Sequence, residues 1–305
     1  MAGWKTVRIT KPCEVRIDNK NLLIENSEHR FKLCLEDIDS IVFEGDRFMV
    51  SGKVLSSLSK HKIAVLFCDD FYMPSAIMHP FHQSSLATRT LKIQINSSEK
   101  FAKTLWKRII EAKIERQKDV LCHYAKPYEK LDKYLSGVAI ADKHNMEAKS
   151  ARHYWSHLFG DLIRERESFD IRNQMLNYAY AILRSLISRD LSSAGFIPAL
   201  GIWHDNKYNA FNLSDDLIEP FRPLVDLAIF YLIELHKGEE QITSQIKRDI
   251  IGIFDIDYIE YEEGLSSIRN SCKTYVQSFK NAIYKQDPEL LSFPYFNIEK
   301  FYECI

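Results

Sequence analysis

The sequence predicts an α+β chain of two domains: a small N-terminal antiparallel β-sheet or sandwich at residues 1–80, followed by a larger all-α domain at residues 81–305. Three observations carry that expectation. Apolar residues alternate with period two up to about Met78 and recur at spacings of three and four thereafter. Turn residues separate the early runs and become sparse later. At 305 residues, the chain also exceeds the size that one core usually serves.

The early runs are Val7 and Ile9, Val15 and Ile17, Leu22 and Ile24, Phe31 with Leu33 and Leu35, Ile41 and Phe43, and Val65 and Phe67. Each fits one face of a strand. Asp18-Asn19, Asn26-Ser27 and Glu44-Gly45-Asp46 lie between them, which favours antiparallel meanders over a parallel sheet. A helix is expected to interrupt the strands at residues 52–61, and residues 79–88 should join the two domains. Residues 97–124 hold neither Gly nor Pro and set Phe101, Leu105, Ile109 and Ala112 on one face, the signature of a long amphipathic helix. Further helices are expected at residues 128–136, 142–159, 171–191, 213–236, 243–253 and 264–285, with breaks at Gly160, Gly195 to Pro198, and Asp287-Pro288.

Composition narrows the class. Hydrophobic residues make up 46% and charged residues 27%, ordinary for a soluble, well-cored protein. The six cysteines are scattered without a C-x-x-C pair, so reduced thiols in a cytoplasmic protein are expected. The N-terminus lacks an apolar leader core, and the apolar stretch at residues 224–235 is broken by Asp226 and Glu234, so neither secretion nor a membrane span is expected. The net charge of −1 conceals opposite halves. Residues 85–130 carry eleven Lys/Arg against five Asp/Glu, whereas residues 205–264 carry five against fourteen. That asymmetry allows a basic track for a phosphate backbone beside a region that holds cations, solvated helix faces being the plain alternative.

The candidate chemistry lies in the second half. Glu147 falls within an expected helix above Ala151 and Tyr154, His204 on a loop after the breaker-rich residues 195–201, and Glu219 just before Pro220. From a cap at Ser214, Asp215 and Asp216 stack on the face of Glu219, where like charges repel and a bound cation would relieve them. A solvated acidic helix start is the alternative. Two carboxylates with one imidazole suit Mg²⁺ or Mn²⁺, ions that serve phosphoryl transfer. A rival zinc pair, His153 and His157, has Tyr154 where the metalloprotease motif needs Glu, and no evident third ligand. Phosphate-loop, dinucleotide and serine-nucleophile motifs are absent from the sequence.

The strings Glu147-x-x-x-Ala151-Arg152-x-Tyr154-Trp155, Leu176-Asn177-Tyr178-x-Tyr180, Leu200-Gly201-Ile202-x-His204, and Phe211-Asn-Leu-x-Asp-Asp216-Leu-x-Glu219-Pro-Phe-Arg-Pro-x-Val-Asp226 resemble the CRISPR-associated spacer-acquisition integrases, or universal adaptation endonucleases. Glu219, together with the Asn-Ala-Phe-Asn-Leu run, resembles the branch found in type II systems. The resemblance implies that Glu147, His204 and Glu219 are catalytic metal ligands for Mg²⁺ or Mn²⁺, with Asp216 as an outer-shell group or occasional ligand. It implies insertion of short duplex DNA into a CRISPR repeat by attack of a 3′-hydroxyl, with hydrolysis as a side reaction. A non-catalytic DNA-binding scaffold is the alternative. Arg152, Lys207 and Arg222 are candidates for the scissile phosphate, and Lys103, Lys107, Arg108 and Lys113 for the donor backbone. The expected partners are double-stranded DNA, a second copy forming a homodimer through the β domain, and a small second adaptation protein bridging two dimers. A type II effector nuclease and a ring-shaped DNA-binding protein are further expected partners.

Overall fold

The computed structural model describes residues 5–44, 47–69, 74–78, 87–165, 168–261 and 264–305. The turn expected at Gly45-Asp46 and most of the junction expected at 79–88 lie outside the described residues. Strands β1 (Lys5–Ile9), β2 (Cys13–Asp18), β3 (Asn21–Glu25), β4 (Arg30–Cys34), β5 (Ile38–Phe43) and β6 (Phe48–Val50) lead to helix α1 (Gly52–Lys60), then β7 (Ala64–Cys68) and β8 (Pro74–Met78). Among the described residues these strands form two sheets, ordered β1-β5-β7-β8 and β4-β3-β2-β6.

The β-then-helical order is as expected, and β2-β3-β4 is the antiparallel meander. Pairing elsewhere departs from the all-antiparallel expectation: β1 and β7 both flank β5 in parallel. For β7 the return to the same end of the sheet is made by α1, capped by the Ser51 hydroxyl and buried through Val54 and Leu58; for β1 and β5 the connection runs through β2, β3 and β4. All six residues of β5 are buried, as suits a strand covered on both faces. Ile41, Phe43 and Val65 point into an N-terminal core with Val15, Leu22 and Leu58. Val42 and Leu66 point the other way, into the helical core. One sheet therefore serves as a wall for both cores, each buried aliphatic side chain contributing roughly 1.5–3 kcal/mol.

The helical part comprises α2 (Ala87–Ile95), α3 (Glu99–His123), α4 (Glu129–Ser136), α5 (Met146–Leu158), α6 (Ile171–Ala194), α7 (Asn212–Leu217), α8 (Arg222–Leu235) and α9 (Ser244–Gly252). It ends with β9 (Asp257–Tyr261), β10 (Gly264–Ser267), α10 (Ile268–Lys285), β11 (Tyr295–Phe296) and α11 (Ile298–Cys304). The β10-β9-β11 sheet corrects the expectation of an all-α second half, because residues 264–267 pair with β9 before α10 begins. The long helix α3, capped by Ser98, runs through the larger core on Leu105, Trp106, Ile109 and Ile110. The helix expected at residues 213–236 is divided, because Pro220 and Pro223 lack the N–H it would need: α7 stops, Glu219–Phe221 forms a single 3-10 turn, and α8 begins. Among the described residues no helix is long and apolar enough to cross a membrane.

A buried ionic lock ties sheet to helices. Asp39 of β5 meets Arg189 of α6 at 2.5 Å, Arg269 of α10 at 2.6 Å and Lys273 at 3.2 Å.

Candidate metal centre

Three elements converge on one buried ammonium. Lys113, from the middle of α3, lies 2.9 Å from Glu147 Oε1 and 2.5 Å from Glu219 Oε2. Glu147 sits in the first turn of α5, and the Asp142 carboxylate fixes that turn by accepting from Met146 N at 2.7 Å and Glu147 N at 2.9 Å. Ala141, Asp142 and Asn145 all adopt positive φ to bring that carboxylate round, a backbone cost of roughly 1–3 kcal/mol each. Glu219 is 4% exposed in the 3-10 turn, with Arg222 Nε 3.1 Å from its other oxygen.

His204 enters from the loop between α6 and α7. Asp216, fully buried, accepts from the backbone N–H groups of Ile202, Trp203 and His204 and from His204 Nδ1 at 2.7 Å. A carboxylate only accepts, so Nδ1 carries the hydrogen and Nε2 of the neutral ring is the nitrogen with a lone pair. Gly201 is required here: a Cβ on it would stand 2.2 Å from the His204 carbonyl oxygen and 2.9 Å from Asp216 Oδ2. Trp203 stacks on Trp106 of α3 at 5.5 Å, and the imidazole meets Trp106 edge-on at 5.6 Å.

The electrostatics follow from this packing. The hydrogen bond to Asp216 holds the His204 imidazole above its usual range; burial opposes this, and the charges of Asp216, Glu219 and Glu147 reinforce it. Burial pushes the Glu219 carboxyl up, yet Arg222 and Lys113 outweigh it and keep the group low. Burial likewise works against the Lys113 ammonium, and Glu219 and Glu147 hold it charged above the usual lysine range.

The two carboxylates are thus drawn to one point, while His204 is held by Asp216 rather than by that point. Among the described residues no three His, Cys, Asp or Glu side chains already form a metal-holding group. The donors nevertheless fit a hard divalent ion. Glu219 Oε2 is a buried acceptor without a hydrogen bond of good geometry, and the Lys113 ammonium beside it marks a cation-sized place between two carboxylates. The model for the CRISPR associated protein Cas1 family matches residues 7–248.

The chain belongs to the Cas1 family.

A CRISPR-associated endonuclease Cas1 from Neisseria meningitidis serogroup C (strain 8013) is 31% identical over 293 residues, covering 95% of this chain and 96% of that relative. In fold, the chain is similar to a casposase bound to its integration product, with a TM-score of 0.78, 20% identity, and coverage of 92% of this chain and 91% of the casposase. It is also similar to a chain of a Cas6-RT-Cas1–Cas2 complex, with a TM-score of 0.75 and 20% identity over 95% of this chain and 36% of that one.

The remaining candidates of this Cas1 family member separate by exposure. Arg152 and Lys207 are exposed, Lys207 lying over the Tyr208 ring at 4.8 Å. Lys103 and Lys107 are on the outer side of α3, each paired within its helix, with Glu99 and Glu111. Arg108 binds the Pro288 carbonyl and Glu289 and lies over Phe293, so it serves the packing of the C-terminal segment. Arg222 is committed to Glu219 and to the face of Tyr180. Lys113, expected on a DNA-facing surface, is 6% exposed and belongs to the centre itself. The His153 and His157 rings lie 4.1 Å apart and tilted by 42°, and each engages a backbone carbonyl, of Pro127 and His153 respectively.

Sequence reasoning missed the seat of Lys113, although a signal existed. The residue follows Ile109 by four, on the apolar stripe of α3, and a lone cation there requires a buried anion. Asp142 gave no comparable signal, because its role depends on a turn of three left-handed residues.

Proposed function

We propose that this chain inserts short duplex DNA into a CRISPR array as a Mg²⁺- or Mn²⁺-dependent integrase. Glu147, His204 and Glu219 are the residues that would hold the ion. The observation that carries the reading is the Lys113 ammonium clasped by Glu147 and Glu219, with the His204 imidazole, held through Nδ1 by Asp216, within the field of both carboxylates. Two acids from distant parts of the chain brought to one cation is the arrangement that divalent-ion chemistry on phosphodiesters needs.

In the proposed reaction the 3′-oxygen of the donor duplex forms a bond to a phosphorus at the edge of a repeat, and the bond from that phosphorus to the repeat's own 3′-oxygen breaks. One phosphodiester replaces another, so no nucleotide hydrolysis is required; water in place of the 3′-hydroxyl gives cleavage. When bound, the ion supplies charge neutralisation at the phosphoryl oxygens. The protein's own groups do the positioning. Asp142 sets Glu147, Arg222 steadies Glu219, and Asp216 fixes the tautomer and direction of His204. The exposed Arg152 and Lys207 are the cations proposed for the target phosphates, and Lys103 and Lys107 for the donor backbone, an interaction expected to weaken steeply with salt.

The casposase that shares this fold is bound to an integration product, which supports strand joining over cleavage alone. Likeness to a chain from a Cas1–Cas2 complex supports a Cas2-type protein as the small bridging partner. We further propose a division near residue 80, with the β half forming the homodimer, and a type II setting on the strength of Glu219 and the Asn-Ala-Phe-Asn-Leu run.

The test is joining of a labelled duplex into a repeat-bearing plasmid by the protein with its bridging partner. Joined product is expected with Mn²⁺ or Mg²⁺, none with chelator, and none from Glu147→Ala, His204→Ala or Glu219→Ala. Wild-type joining by the Glu147 and His204 variants would remove the mechanism. Duplex binding without strand chemistry under any metal would leave a scaffold.

A further inference from the structure

We infer that Lys113 is a built-in competitor for the metal: its ammonium holds the point between Glu147 and Glu219 and must leave before one divalent ion can be bound by both carboxylates. This rests on the reading of those two residues as ligands.

The first argument is steric. One ammonium touches Glu147 Oε1 at 2.9 Å and Glu219 Oε2 at 2.5 Å, so the space between the two oxygens is filled. A Mg²⁺ ion requires oxygens at about 2.0–2.1 Å and tolerates little distortion, so it cannot be inserted beside a nitrogen already in contact with both. The second is electrostatic. Among the described residues Lys113 is the cation paired with Glu147, while Glu219 also has Arg222. A divalent ion added with Lys113 in place would set four positive charges, counting Arg222, against two negative, in a region where Lys113 and Glu219 have side chains 7% and 5% exposed. Exchange of one cation for the other avoids that excess.

The third argument is the cost of the residue itself. Lys113 sits on the buried face of α3 between Ala112 and Ile114, which are 5% and 0% exposed. A methionine would fill that place without desolvating a charge. A lysine is worth its burial when the two acids must be kept together and neutral in the absence of the ion. The consequence is a centre preassembled when empty and weakened toward metal by the same side chain. The exit lies toward Glu147, whose side chain is 30% exposed, and not toward Glu219.

The experiment is a calorimetric titration of the DNA-free, full-length protein with Mn²⁺, comparing wild type, Lys113→Met and Glu219→Gln. Lys113→Met is expected to bind Mn²⁺ at least tenfold more tightly than wild type. Equal or weaker binding overturns the inference. Mn²⁺ affinity unchanged in Glu219→Gln would instead remove the ligand assignment, and the inference with it. A second measurement needs no variant: amine-reactive labelling of wild-type protein, read at Lys113 by mass spectrometry, is expected to rise several-fold when Mg²⁺ replaces chelator. Protection that does not change with saturating metal overturns the exchange, even if Lys113→Met fails to fold.

Discussion

Where the β1-β5-β7-β8 sheet meets the helices, one carboxylate, Asp39, is gripped by Arg189, Arg269 and Lys273; in the candidate metal centre one ammonium, Lys113, is gripped by Glu147 and Glu219. Both clusters are buried and both join segments distant in the chain. They differ in closure. Asp39 and its two arginines have side chains 2–3% exposed, Lys273 at 28% reaches solvent, and every charge has a protein partner. The centre leaves Glu147 30% and His204 43% exposed, and Lys113, shared by both acids, is the cation paired with Glu147, whereas Glu219 also has Arg222. A cluster whose anion and arginines are fully buried holds the fold, whereas one whose acid opens to solvent can exchange its cation. The difference predicts that stability and activity separate between them.

The largest effect should come from Glu147→Ala. Strand joining is expected to fall by about four orders of magnitude, roughly 5 kcal/mol of transition-state stabilisation. Stability should change by less than about 1 kcal/mol, because the side chain is partly solvated and Lys113 retains Glu219. Single-turnover joining and urea denaturation of the same preparation measure both. A variant that loses the fold along with activity would erase the distinction.

Asp39→Ala should give the reverse pattern. Three cations would lose their shared, buried anion, a loss of about 3–5 kcal/mol. Mn²⁺ affinity per folded molecule should stay at the wild-type value, as calorimetry on the folded fraction would report. The contribution has a pH sign. Burial pushes the Asp39 carboxyl up, but Arg189, Arg269 and Lys273 hold it below the ordinary range. Its stabilisation is therefore present above the unfolded carboxylate pKa and is lost as pH falls through the lower folded value.

Asp216→Asn tests the support of the centre rather than its donors. The amide keeps one acceptor but cannot bind three N–H groups and impose the Nδ1–H tautomer as a carboxylate does. Joining should fall by about 10–100-fold, the usual cost of removing a group that orients a ligand. An unchanged rate would mean that the imidazole needs no such hold.

These expectations divide between what the sequence displays and what only the fold supplies. His204 and Glu219 drew notice because they stood at breaks in the apolar pattern, with the two prolines that turn Glu219 visible in the same string, whereas Glu147, inside an expected helix, was singled out chiefly by the resemblance. The division into β and helical halves was legible because period two and period 3.6 separate cleanly. The parallel pairing of β5 was not, since strand direction is decided by how the β2-β3-β4 meander and α1 pack between the paired strands. Nor was the small β9 sheet, whose two-residue partner β11 comes from more than thirty residues downstream. Lys113 read as one more cation of a basic helix, and only the convergence of α5 and the 219–221 turn on α3 gives it two anions.

Asp226 sharpens the boundary between the two designs. It is 2% exposed beside the centre, accepts from Tyr180, and lies in the field of Arg222 and Arg164. Unlike Asp39, it is not held ionised: burial raises its carboxyl to about 7, against the lowering influence of Tyr180 and the two arginines. The sign is therefore opposite to that of Asp39. A carboxyl raised in the folded state stabilises most below its unfolded pKa, and that stabilisation is lost as pH climbs to the folded value. Between pH 5 and pH 7 the wild type should lose about 1–2 kcal/mol relative to Asp226→Asn, which has no proton to release. Urea denaturation of both proteins at the two pH values reads the difference directly. Parallel curves would mean that Arg222 and Arg164 already keep Asp226 charged, making it a second sealed ion pair of the Asp39 kind and extending the lock to the edge of the metal centre.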